Sequence, residues 1–172
     1  MAVDHLNILE RKLIDNLRAG TYNTIDGIGS GTAWSSGDVT VFGQFPETED
    51  LKFPCIVVEQ LANGIETQFM GQLMTSGGSE AVGELYGIGF AVTCAVERES
   101  AMTVNATAFK QRRLINYLML NCANVLMDCD FTATATEVTE RHFSGFSAVG
   151  YNAQSEVWAA TCNLIIVFKN TR

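Results

Sequence analysis

At 172 residues the chain suits one domain spanning residues 1–172, and a domain of this size buries roughly 70% of its unfolded surface, enough for a core of its own. Hydrophobic residues make up 47% and charged residues 17%, a globular composition that excludes a disordered chain. Nineteen acids against eleven Lys and Arg leave a net charge of −8, which counts against a direct grip on nucleic acid, since that needs clustered cations to displace counterions. An acidic wall would instead let DNA slide past without sticking.

Val3 to Leu17 reads as a helix, because Val3, Leu6, Leu9, Leu13 and Leu17 recur at spacings of three and four. Gly20 marks its stop. Thr21 to Asp38 has no period and reads as a glycine- and serine-rich loop. Val39 to Phe45 reads as a strand ended by Pro46, and Cys55 to Leu61 as a second strand after Pro54. Ala62 to Gly83 is another long glycine-rich stretch, expected to be an irregular loop, although a long hairpin arm satisfies the same composition.

Tyr86 to Val96 alternates cleanly: Tyr86, Ile88, Phe90, Val92, Cys94 and Val96 face one way, and Gly87, Gly89, Ala91, Thr93 and Ala95 the other. Ala101 to Asp128 reads as the longest helix, firmest from Phe109 onward, with Ser100 as a candidate cap. Phe131 to Arg141 reads as a strand, and Gly145 and Gly150 bracket a further short strand or turn. Ser155 to Phe168 is a strong last strand whose inner face would carry Trp158, Ala160, Cys162, Leu164, Ile166 and Phe168. This order predicts an α+β fold: a mainly antiparallel β-sheet with two helices packed on one face, plus long loops or a hairpin arm.

Sites of chemistry are scarce. Cys55, Cys94, Cys122, Cys129 and Cys162 form no CxxC pair, and the amino end has no signal-peptide pattern, so they are expected to be reduced core thiols of a cytoplasmic product. Cys122 and Cys129 lie two helical turns apart, too far to share a zinc ion unaided. His5 and His142 have no second ligand at metal spacing, and Gly27-Ile-Gly-Ser-Gly-Thr lacks the Lys of a phosphate-binding loop. No cofactor, metal or catalytic residue is expected, and no apolar run is long enough to cross a membrane.

Candidate interface residues stand out instead. Phe69, Met70, Leu73 and Met74 place apolar groups in a polar stretch, and Met adapts to irregular surfaces. Lys110, Arg112 and Arg113 are the densest basic spot, read either as a solvated face or as a contact with an acidic neighbouring subunit. Glu47, Glu49 and Asp50, flanking Pro46, could supply that acidic partner or simply form a soluble turn.

The layout resembles the tail-terminator and tail-completion family of tailed phages. The resemblance rests on the amino-terminal helix, on Val39-Thr-Val-Phe leading to a proline turn, and on Phe53-Pro54-Cys-Ile-Val-Val-Glu59. It extends through Tyr86-Gly-Ile-Gly-Phe-Ala-Val, the helix Phe109 to Asp128, and a last strand opening with Val157-Trp158. It implies a virion protein: a ring, hexameric in that family, that caps the tail tube, contacts head-side neck proteins and lets DNA pass without specific binding. A head-closure or neck connector of the same machine is the nearest alternative. A small-ligand-binding domain or enzyme is the alternative of another class.

Overall fold

Leucines at every fourth position wind the first helix onto the core. In the computed structural model, which describes residues 5–19, 39–43, 51–76, 79–104, 107–129, 131 and 137–171, α1 spans His5–Ala19. Leu9, Leu13 and Leu17 are fully buried while Arg11, Asp15 and Arg18 lie outside, as a 3.6-residue period requires. Arg18 closes the last turn, where a cation suits the helix dipole, and its guanidinium donates to the Val41 carbonyl at 3.1 Å.

The remaining elements are β1 (Thr40–Phe42), β2 (Cys55–Ser76), β3 (Ser79–Glu97), β4 (Ala101–Val104), β5 (Thr107–Lys110), α2 (Gln111–Asp128), β6 (Glu137–Phe146), β7 (Gly150–Asn152) and β8 (Val157–Thr171). One sheet runs in the order β1-β2-β3-β8-β6, with β7 also on β8, and β4 and β5 form a separate hairpin. The β1–β2 pair is parallel. Every other described pair is antiparallel, so the α+β fold is as expected.

The strands β3 and β8 pair along almost their whole length, with Ile88 opposite Ile166, Phe90 opposite Leu164 and Val92 opposite Cys162. Alternation then sorts their side chains between two faces. One face carries Ile56, Val58, Ile88, Phe90, Val92, Cys94, Val96, Leu164, Ile166 and Phe168, all at most 1% exposed. Both helices contribute to this core, α2 through Leu114, Ile115, Leu118, Cys122, Val125 and Leu126. A smaller cluster on the opposite face joins Cys55, Val57 and Ala95 to the half-buried Phe42, Leu51, Phe53, Val157 and Ala159. There Gly89 admits close packing, because a β-carbon on it would lie 2.8 Å from Leu61 Cδ1.

Four expectations need correction. The stretch Ala62 to Gly83 is not an irregular loop: β2 and β3 run through most of it and pair as a long hairpin arm. Its register slips between Gln60 and Ile65, between Thr67 and Phe69, and between Phe69 and Gln72. Each slip breaks the two-residue alternation by which a strand is read. The second helix does not begin at Ala101. Residues 101–110 contain the β4–β5 hairpin, in which Met102 pairs with Phe109 and both are buried, and Thr103, Val104 and Thr107 are β-branched. Ser100 caps no helix, its N–H donating to the Glu97 carbonyl in a turn. The strand placed at Phe131 to Arg141 is displaced, since β6 spans Glu137–Phe146 and residues 132–136 lie outside the described residues.

Smaller adjustments concern ends. Of the strand Val39 to Phe45, β1 covers Thr40–Phe42, and Gln44 and Phe45 lie outside the described residues. The loop Thr21 to Asp38 lies outside them as well. Gly150 opens β7, and Gly145 holds a φ of 76° inside β6, a backbone conformation that glycine adopts without strain. Trp158 is only partly buried, its ring 4.4 Å from that of Tyr151, which is 42% exposed.

The two aromatic positions should therefore respond differently to truncation. Phe90→Ala removes a fully buried ring and is expected to cost about 3–5 kcal/mol, whereas Trp158→Ala is expected to cost about 1–3 kcal/mol because part of its ring already meets water. Denaturant midpoints of the two variants check this. An equal or larger loss at Trp158 would overturn its partly buried placement.

Candidate functional site

The basic spot lies where β5 passes into α2. Lys110 ends the strand and stands at the helix N-cap without a side-chain capping bond, and Arg112 and Arg113 lie in the first turn. All three are exposed. The Arg113 guanidinium sits 5.0 Å over the Phe109 ring, which stacks on Tyr117 at 4.5 Å between centroids, so this cation is held in place. No acid occupies the first turn and no base the last, while Asp128 is exposed at the carboxyl end. These charges oppose the helix dipole, at about 0.3–1 kcal/mol each for exposed groups. Glu47, Glu49 and Asp50 lie outside the described residues.

The expected apolar cluster lies on the arm. Phe69, Met70, Leu73 and Met74 all belong to β2, whose main chain sets Phe69 opposite Leu85, Leu73 opposite Val82 and Met74 opposite Ala81. Met70 falls inside the last register slip. The structure thus puts these four on one strand, and the basic spot on other elements.

Two sheet edges differ in character. On the outer side of β2, β1 pairs with Cys55, Ile56 and Val57, and no other described strand pairs there. From Val58 to Ser76 that strand contains no Lys, Arg or Pro, and its interruptions are Glu59, Glu66 and three register shifts. The opposite edge, β6, is of mixed charge: Glu137, Glu140, Arg141 and His142 are exposed, and two register shifts interrupt its pairing. Lys169 Nζ lies 2.5 Å from Glu137 Oε1, an ion pair, and His142 Nε2 lies within hydrogen-bond reach of Glu140 Oε2 at 3.2 Å. Arg141 Nη1 donates to the Cys129 carbonyl at 2.5 Å, tying this edge to the end of α2.

The sequence reading missed Leu120, 42% exposed, and Met127, 52% exposed, both on the solvent side of α2. Their seven-residue spacing was the available signal, because it places both on a stripe away from Leu114, Leu118, Cys122 and Val125. Also unforeseen was Asn121, fully buried in α2, whose Nδ2 donates to the Tyr117 carbonyl at 2.9 Å while Oδ1 has no hydrogen-bond partner among the described residues. Asn121→Leu removes that uncompensated acceptor and is expected to leave stability unchanged or raise it by about 1–2 kcal/mol. A clear fall in the urea midpoint would show that the amide is needed.

All five thiols are free and buried. Burial, followed by the charge of Cys94, pushes Cys55 from 9.0 up to about 12, and Cys162 rises to about 12 for the same two reasons, partly offset by backbone hydrogen bonds. Cys122, hydrogen-bonded to Cys94 and wholly buried, is raised well above its ordinary value. Such thiols carry almost no thiolate at neutral pH and make poor nucleophiles or ligands. Among the described residues no group of three His, Cys, Asp or Glu is placed to hold a metal ion, and no helix is long and apolar enough to cross a membrane.

These shifts fix a sign. The unfolded chain releases the Cys55 and Cys162 protons near 9.0 while the folded one holds them to about 12, so their contribution is full below pH 9 and is lost as pH rises toward 12. Native protein at pH 8 is expected to react with a disulfide reagent only as fast as it opens, and its melting temperature to fall as pH rises above 9. Rapid stoichiometric labelling would overturn the burial of the thiols.

No protein-family model matches this chain, and no curated protein matches it either.

Proposed function

We propose that the chain is a structural virion protein, a tail terminator whose copies close into a ring on the end of a phage tail tube. The observation that carries this reading is the pair of unlike sheet edges, together with the β2–β3 arm. A closed ring needs two different, complementary surfaces on each subunit. The edge of β2, which from Val58 to Ser76 carries acids but no Lys or Arg, and the mixed-charge edge of β6 lie on opposite sides of one sheet, so each copy can offer one edge to each neighbour. Phe69, Met70, Leu73 and Met74 would make the apolar part of the arm's contact. Lys110, Arg112 and Arg113 would meet acidic groups such as Glu47, Glu49 and Asp50 of an adjoining subunit.

The arm suits such a role energetically. Beyond Gly83, which pairs with Thr171, β3 pairs with β2 alone, and a two-stranded hairpin is marginal by itself. A neighbour that adds a strand or covers a face would stabilise it. The proposed partners are further copies, the tube protein on one ring face and a neck protein on the other. DNA would pass an acidic chain that repels phosphate. This reading assigns the protein no reaction and no cofactor. A head-closure protein would use the same surfaces against the portal, and the two differ in where the protein sits in the particle.

The arm provides the test. Excising Gln72–Gly83 and closing the gap with an Asn-Gly turn removes the distal pairing while leaving the helix-covered sheet in place. The variant is expected to melt within a few degrees of the parent, yet to form no rings by negative-stain microscopy in the presence of tube protein. Normal rings from the shortened chain would overturn the assembly role of the arm.

A further inference from the structure

The first register slip of the β2–β3 arm is its widest. Gln60 pairs with Phe90 and Ile65 with Ile88, so residues 61–64 of β2 face Gly89 alone. Of these, Leu61 lies over Gly89, against the place a β-carbon would take. The register gives Asn63 and Gly64 no partner on β3. On the outer side of β2 the pairing with β1 ends at Val57, and no other described strand pairs there. A regular ladder pins each residue between its neighbours, whereas a bulge holds extra chain outside the pairing.

Asn63-Gly64 is also the single place in the sequence where Gly follows Asn. After every other asparagine comes a residue with a β-carbon, which crowds the next backbone nitrogen. Glycine leaves that nitrogen open. The reactive dipeptide and the unpaired stretch of strand therefore coincide.

We propose that Asn63-Gly64 is a site of self-modification, at which Asn63 converts to aspartate and isoaspartate without an enzyme. The Gly64 backbone nitrogen gives up its proton to solvent base and attacks Cγ of Asn63. A C–N bond forms there, the bond from Cγ to the side-chain nitrogen breaks, and ammonia leaves. Water then opens the cyclic imide. Cleavage between the Gly64 nitrogen and Cγ leaves aspartate. Cleavage between that nitrogen and the main-chain carbonyl leaves isoaspartate, with the chain running through Cβ and Cγ. One water is taken up and one ammonia released, and nothing is oxidised or reduced.

The bulge makes the change tolerable. Isoaspartate lengthens the main chain by a carbon, which would shift the pairs of a regular ladder, but a bulge already holding extra residues absorbs it. The fold survives, and the chain, already at −8, gains a further negative charge on the strand that carries Glu59 and Glu66.

The experiment ages the full chain in mildly alkaline buffer, folded and in urea, followed by pepsin digestion in acid and peptide mass mapping. In the folded protein the Asn63 peptide should gain the mass difference between an amide and a carboxylic acid and split into two chromatographic forms. Its rate should lie within about tenfold of the rate in urea, as for a site that needs little opening. Peptides holding Asn152 and Asn163, both exposed, should stay unchanged over the same time. Gly64→Ala should slow the conversion at least roughly tenfold in both states, and the aged parent should melt with the fresh one. Conversion in urea with Asn63 intact in the folded chain would show that the strand pairing protects it, and overturns the proposal. So does conversion of Asn152 or Asn163 as fast as Asn63, an undiminished rate in Gly64→Ala, or no conversion in either state. None of these outcomes bears on whether rings form.

Discussion

The pairing of β3 with β8, continuous from Gly83 opposite Thr171 to Glu97 opposite Val157, is the constraint on which the rest of the structure depends. Its register decides which side chains face the helices, and a slip of one residue would turn Phe90, Leu164 and Phe168 toward the other face. The partners are far apart in sequence, so their union closes a long loop before it gains any burial. The strands β2 and β6 then add on either side. Both helices settle on the face that the pairing has made apolar.

Placement of α2 follows from that face. Its inner side shares one core with the sheet and brings Cys122 against Cys94 and Cys162, and small sulfur side chains suit a close helix–sheet approach. The same burial raises the Cys122 and Cys162 thiols. What remains outside is the unusual part of the helix: an amino end crowded with cations, an acid at the far end, and leucine and methionine between them. A helix whose surface served solubility alone would carry charge in the middle and reverse the ends.

The proposed ring contacts would use the two sheet edges and the arm, which extend the plane of the sheet. Free subunits at −8 repel one another beyond a Debye length, so those contacts would depend on short-range complementarity.

Where hydrophobic period and secondary structure agreed, the sequence alone was enough. The leucine stripe of α1, the alternation of Tyr86 to Val96 and of Trp158 to Phe168, and the buried side of α2 from Phe109 onward were all legible. Each element there buries one face, and burial imposes a period on the residues. The α+β class and the single helical layer follow from those elements and their order. The extent of the arm was not legible, because its register slips erase the alternation by which a strand is read. Neither was the start of α2, since Ala101 to Lys110 has residues compatible with a helix and becomes a hairpin when Met102 and Phe109 meet across it. Trp158 shares its strand's inner period yet lies at the rim of the core, only partly buried beside Tyr151. Which edges stay unpaired, and which face of α2 stays uncovered, were decided by the tertiary structure alone, because exposure depends on what the other elements fail to cover.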